Sequence, residues 1–124
     1  MNGYAVEIRE TNKELTARER IRLKDTSDAV KLDEATKEAE VIITPVAYAI
    51  LAIHNEKSDN KDYEVYLIED ANGTKYVTGS ESFFSAFMDI YSDMDGEEEA
   101  WQVKAYRLPS KNYKGKEFLT CSII

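Results

Sequence analysis

A chain of 124 residues that is 43% hydrophobic, with eight Tyr, four Phe and one Trp, has the size and apolar content of one folded domain (residues 1–124), not of a disordered segment. Its 24 acidic and 16 basic residues leave a net charge of −8, which argues weakly against binding to nucleic acid without excluding it. A local basic field remains open to it. The single cysteine, Cys121, excludes an internal disulfide and suits a reducing cytosol.

From the N-terminus, Tyr4, Val6 and Ile8 alternate with Ala5, Glu7 and Arg9, the period of a half-buried strand. No charged-then-apolar secretion signal precedes them. Thr16-Ala17-Arg18-Glu19 matches a capping box, so 16–24 reads as a short helix or an ordered basic loop carrying Arg18, Arg20, Arg22 and Lys24. Residues 33–38 are polar, with one helical turn at most. The run 41–56 is ambiguous, and its apolar-rich part is too short to span a bilayer. Thr44-Pro45 and the alanines favour a helix, whereas the alternation of Ala47, Ala49, Leu51 and Ile53 with Tyr48, Ile50 and His54 fits a strand buried on both faces.

The next segment favours the strand. Residues 63–69 and 74–78 flank Asp70-Ala71-Asn72-Gly73, a strong hairpin signal, so three strands in a meander are expected. The Asn72-Gly73-Thr74 triplet therefore reads as a turn and not as a glycosylation acceptor. Ser80 caps a helix over 81–92, whose apolar face is Phe83, Phe84, Phe87, Met88, Ile90 and Tyr91. Asp95-Gly96 ends it. Two alternating strands follow, 101–108 and 117–123, joined by a loop over 109–115. A mainly β chain whose one helix falls between the third and fourth main strands predicts an OB-fold-like, antiparallel, five-stranded barrel.

Alternation then sorts the strands into faces. Trp101, Val103, Ala105, Leu119, Cys121 and Ile123 read as the core set. Opposite them fall Tyr48, Tyr66, Tyr76, Tyr106 and Phe118, with Lys104 and His54, as an aromatic outer face. Rings on a solvated sheet need a reason; stacked bases are one, and packing against the N-terminal segment or a second copy is another. Residues 103–124 carry five cations against one acid, so the first 102 residues hold −12. Lys104, Arg107, Lys111, Lys114 and Lys116 are interleaved with Tyr106, Tyr113 and Phe118, as following a phosphate backbone requires. The loop lysines are expected over the aromatic face, Trp101 within the core.

Enzyme readings find little. His54 and Cys121 are single, and Cys121 alternates with apolar residues as a small core side chain does. No Cys/His metal spacing or glycine-rich phosphate loop occurs. Asp93, Asp95, Glu97, Glu98 and Glu99 lack the spacing of a calcium loop and read as a solvated acidic loop. No catalytic residue, metal or cofactor is expected.

The stretch 65–85, V-Y-L-I-E-D-A-N-G-T-K-Y-V-T-G-S-E-S-F-F-S, followed by 101–122 with its S-K-N-Y-K-G-K-E-F-L-T-C-S ending, resembles the small single-stranded DNA-binding proteins of tailed phages of Gram-positive bacteria. The similarity covers roughly the second two thirds of the chain, and members without an acidic tail match a last strand running to Ile124. It implies an OB-fold, no catalysis, and sequence-tolerant coating of single strands during phage replication in the host cytoplasm. Self-association along the strand and replication proteins are the implied partners, with no membrane. The basic segment 18–24 departs from the pattern. A rival expectation comes from the acidic run 89–99: a protein that mimics DNA and blocks a host nuclease or DNA-binding enzyme.

Overall fold

The computed structural model describes residues 3–12, 14–110 and 115–124. Its strands are β1 (Tyr4–Thr11), β2 (Val30–Lys31), β3 (Val41–Ile43), β4 (Pro45–Asn55), β5 (Asp62–Asp70), β6 (Lys75–Thr78), β7 (Val103–Pro109) and β8 (Glu117–Ile123). Its helices are α1 (Ala17–Lys24), α2 (Leu32–Ala35) and α3 (Glu81–Met94). The ambiguous 41–56 run forms strands over Val41–Ile43 and Pro45–Asn55 and no helix, as the hairpin after it required.

Two sheets result. One has the order β1-β4-β5-β6-β2, antiparallel except for the two-residue parallel pairing of β2 with β6; the other is β3-β7-β8, antiparallel throughout. The division falls at Thr44-Pro45. Proline donates no ladder hydrogen bond, so it suits a place where a strand leaves its partner. The buried Asp70 carboxylate accepts from the Thr44 amide at 2.8 Å and from the Asn72 amide at 2.9 Å. It thus ties this corner to the β5–β6 turn, where Gly73 takes φ +92°.

The expected closed barrel is not formed among the described residues. β8 pairs only with β7, and the edge of β6 is taken by β2. Neither β2 nor the separate β3 was anticipated, because two or three residues carry no readable period.

The helices follow local rules. Thr16 and Glu19 make the capping box, Thr16 Oγ1 accepting from the Glu19 amide at 3.2 Å and Glu19 Oε1 from the Thr16 amide at 3.0 Å. Ser80 Oγ caps α3 by accepting from the Phe83 amide at 3.1 Å. α1 and α3 cover opposite faces of the larger sheet. On one face, Leu23 of α1 joins Ala49, Leu51 and Leu67, with Val6, Ile8 and Val77 around them. On the other, Phe83, Phe84 and Phe87 of α3 join Tyr48, Tyr66, Ile68, Val103, Ala105, Leu119 and Cys121. β4 is therefore buried on both sides. No helix among the described residues is long and apolar enough to cross a membrane.

Candidate nucleic-acid interface

The expected aromatic face divides in two. Alternation placed Tyr48, Tyr66 and Tyr76 together on one side of the larger sheet, but that side faces the same core as Val103, Ala105, Leu119 and Cys121, not the side of Tyr106 and Phe118, and it is closed. Tyr48 and Tyr66 are buried, and Tyr76 is half-buried against the same core. Tyr66 stacks on Phe84 with ring centroids 4.3 Å apart, and Tyr48 meets Tyr91 edge-on at 5.1 Å. Burial pushes the phenol pKa of all three tyrosines up. These rings are occupied by α3 and are not stacking platforms. The expectation failed because it assumed one covered face, whereas this sheet carries a helix on each side.

The half on the smaller sheet is open. Cross-strand partners share a face, and the register sets Ile42 beside Lys104 and Ser122, Tyr106 beside Thr120, and Leu108 beside Phe118. Val103, Ala105, Leu119 and Cys121 point the other way, into the core. Ile42, Leu108 and Phe118 are all exposed. Tyr106 donates or accepts a 2.6 Å hydrogen bond with Ser122, which holds its ring along the sheet. The Lys104 ammonium lies 5.3 Å from the centre of that ring and 3.5 Å from a Glu40 carboxylate oxygen. The expected positions of Lys104, Tyr106 and Phe118 thus hold. Ile42 and Leu108 are additions. Leu108 was readable from the alternation of 101–108, whereas Ile42 needed the pairing of β3 with β7.

Arg107 leaves the set. Its Nε donates to Thr36 Oγ1 at 3.1 Å and a terminal nitrogen donates to the Asp33 carbonyl, so it fastens α2 to β7. Lys116 begins the return from the hairpin loop, its carbonyl accepting from the Ser110 amide at 2.8 Å. Lys111, Tyr113 and Lys114 lie outside the described residues. Trp101 packs on Phe87 and Tyr91 at the core margin, as expected.

The two residues that raised an enzyme reading have other work. Cys121 is buried, and burial pushes its thiol up to about 12. A thiol reagent should modify the native protein negligibly at neutral pH and stoichiometrically once denaturant is added. Rapid modification without denaturant would contradict this placement.

His54 sits at the end of the β4–β5 hairpin. Its Nδ1 lies 2.7 Å from Asp62 Oδ1 and its Nε2 lies 2.6 Å from Glu56 Oε1. A carboxylate only accepts, so both ring nitrogens donate and the ring is an imidazolium. The bond to Asp62, then that to Glu56, raises its pKa above the ordinary value, and Glu56 is lowered chiefly by His54. The His54 contribution to stability is complete below the unfolded imidazole pKa of about 6.5 and is lost as pH rises through the raised folded value. NMR titration should give a His54 midpoint above about 6.5. In His54→Gln, the fall of stability across that pH range should disappear; a midpoint at or below the ordinary value would contradict the clamp.

Among the described residues, no group of three or more His, Cys, Asp or Glu side chains is arranged to hold a metal ion. No family model matches the chain, and no curated protein or solved structure is similar to it. The likeness to phage single-stranded DNA-binding proteins therefore rests on the residues quoted above.

Proposed function

We propose that this protein binds single-stranded nucleic acid, DNA in the first instance, without sequence preference and without catalysis. The observation that carries the reading is the outer face of β3-β7-β8. There Lys104 lies beside the exposed Ile42 and the hydrogen-bonded Tyr106, and the exposed Leu108 and Phe118 continue the face to the root of a loop bearing three more lysines. Rings supply sequence-tolerant stacking and lysines follow the phosphates. Lys104 rests over the Tyr106 ring in the free protein. A base arriving on that ring displaces the ammonium toward its own phosphate, so one movement serves both contacts.

The fold supports the same reading. Setting aside β1, β2 and the two short helices α1 and α2, and taking β3 and β4 as one bent strand, the order of strand, strand, strand, helix, strand, strand is that of an OB-fold. The seam between β6 and β8 is then left open and edged by β2. Fold likeness sets only a prior for function. Arg107 points away from this face and fastens α2 to β7, so the phosphate contacts proposed are Lys104, Lys111, Lys114 and Lys116. Each should contribute about −0.7 to the slope of log K against log salt, giving roughly −2.8. Anisotropy of a labelled oligo-dT, titrated at several salt concentrations, measures this. No binding, or a slope near zero, would sink the reading.

A second reading keeps one supporting observation. Asp89, Asp93, Asp95, Glu97, Glu98 and Glu99 are all exposed along and beyond α3, a row of carboxylates such as a DNA mimic would present to a host enzyme. That reading expects no response to oligo-dT and loss of host-enzyme inhibition when these acids are neutralised.

A further inference from the structure

Helix α1 anchors itself with little and exposes much. Leu23 is its one buried residue. At 3.6 residues per turn, Ile21 falls on the opposite side, where it is 66% exposed. Arg18, Arg20, Arg22 and Lys24 are exposed around it. Among the described residues none of these four cations is in an ion pair; Arg20 donates to the Leu15 carbonyl at 2.9 Å. The helix is nonetheless held firmly. The capping box fixes its start, and the Lys75 ammonium donates to the carbonyls of Arg22, at 2.8 Å, and of Asp25. An exposed isoleucine ringed by cations on a fixed helix fits a partner surface that is negative and has an apolar recess.

The chain carries such a surface itself. After α3, a shallow recess is lined by Met94, Gly96, Glu97, Glu98, Glu99 and Ala100, with the exposed Asp93 and Asp95 beside it. Met94 is half-buried and supplies an apolar floor. This recess and α1 belong to opposite faces of the larger sheet, since Leu23 packs on Ala49, Leu51 and Leu67 while α3 packs on Tyr48 and Tyr66. One copy cannot bring them together. Two different surfaces meeting between copies make a heterologous contact, which propagates when its rotation does not close a ring.

We propose that copies of this chain associate head to tail, with Ile21 and the cations of α1 seated on the acidic recess at 93–100 of the next copy. One face of an eight-residue helix is smaller than the roughly 800 Å² per partner of a stable interface, so the contact is weak between free copies. It becomes effective when copies are held side by side at high local concentration. The association goes beyond the strand-binding reading and stands without it, because it is measured with no nucleic acid present.

The test uses sedimentation equilibrium of the full chain. Mean mass should rise with protein concentration at about 0.1 M salt, and the rise should vanish near 1 M, where the screening length falls from about 10 Å to about 3 Å. Arg18→Glu with Arg22→Glu sets acid against acid, and Glu97→Lys with Glu98→Lys and Glu99→Lys sets base against base. Each variant alone should associate about a hundredfold more weakly, as like charges facing each other across an interface dictate. Mixing the two should restore association, because each now offers the charge the other lacks; recovery also shows that both are folded. Should either variant fail to fold, the single exchange Ile21→Asp and the wild-type salt dependence carry the test. A wild-type mass that stays monomeric at low salt overturns the proposal, as does a mixture that stays monomeric. It is also overturned if the Arg18/Arg22 variant loses oligo-dT binding at dilutions where the wild type is monomeric, which would assign the helix to phosphate instead.

Discussion

Tyr66→Ala should cost about 3–5 kcal/mol of stability, as removal of a buried ring does, whereas Phe118→Ala should change stability by no more than about 0.5 kcal/mol. Both rings read alike in the sequence, as members of one aromatic face. In the fold, Tyr66 is 8% exposed and stacked on Phe84, while Phe118 is 39% exposed on the outer surface of β8. Domains of this kind have about 5–15 kcal/mol to lose, so Tyr66→Ala should leave the chain close to unfolding at working temperature. The binding effects should run the other way. Phe118→Ala should weaken oligo-dT binding by about 1–3 kcal/mol, the value of one stacked base. Chemical denaturation of both variants, with anisotropy titration of Phe118→Ala, measures the contrast. A stable Tyr66→Ala, or a Phe118→Ala that binds as the wild type does, would contradict the placement of the open face on β3-β7-β8.

Replacing Lys111, Lys114 and Lys116 together by alanine should reduce the salt slope of oligo-dT binding from roughly −2.8 to roughly −0.7, because three of four phosphate contacts are removed. The fold should be unaffected, since all three are polar residues of the sequence between β7 and β8. Arg107 makes an instructive control. Its guanidinium holds Thr36 and Asp33, so Arg107→Ala should lower stability and leave the slope unchanged. A slope unaltered by loss of the three lysines would remove the loop from the binding surface. A slope that fell with Arg107 instead would return the guanidinium to it.

Most of the fold was legible from local chemistry. The Thr16/Glu19 box, the Asn72-Gly73 turn and the Ser80 cap each state their own structure within four residues, and each is present. The 3.6 period of 81–92 named the residues of α3 that enter the core. Non-local pairings were not legible. That Val41–Ile43 leaves β4 to join β7, and that Val30–Lys31 occupies the edge of β6, depends on contacts far along the chain.

The site divided along the same line. Alternation assigns each residue to one of two faces but does not say which face a second layer covers. Tyr48 and Tyr66 were therefore placed on one strand face correctly, but that face was judged open and joined to the side of Tyr106 and Phe118 incorrectly. Lys104, Tyr106 and Phe118 survive because no element packs over the outer side of the smaller sheet among the described residues. The role of Arg107 was hidden for the opposite reason: its partner turn, Leu32–Ala35, has only four residues and little sequence signal.

Charge distribution gives the account its internal logic. A chain at −8 gains little from long-range attraction to phosphate, so the attraction is confined to one hairpin and its loop. The acids of 89–99 and the cations of α1 belong to opposite faces of the larger sheet, which leaves them free to organise copies with respect to one another.

The most direct measurement is backbone and side-chain NMR of the isotope-labelled protein during addition of oligo-dT at low salt. The account predicts that the largest shifts fall on Lys104, Tyr106, Leu108, Phe118 and Thr120 and on the 110–116 loop, with the Tyr48 and Tyr66 rings undisturbed. Shifts concentrated on α1, or none at any residue up to saturating oligonucleotide, would contradict it.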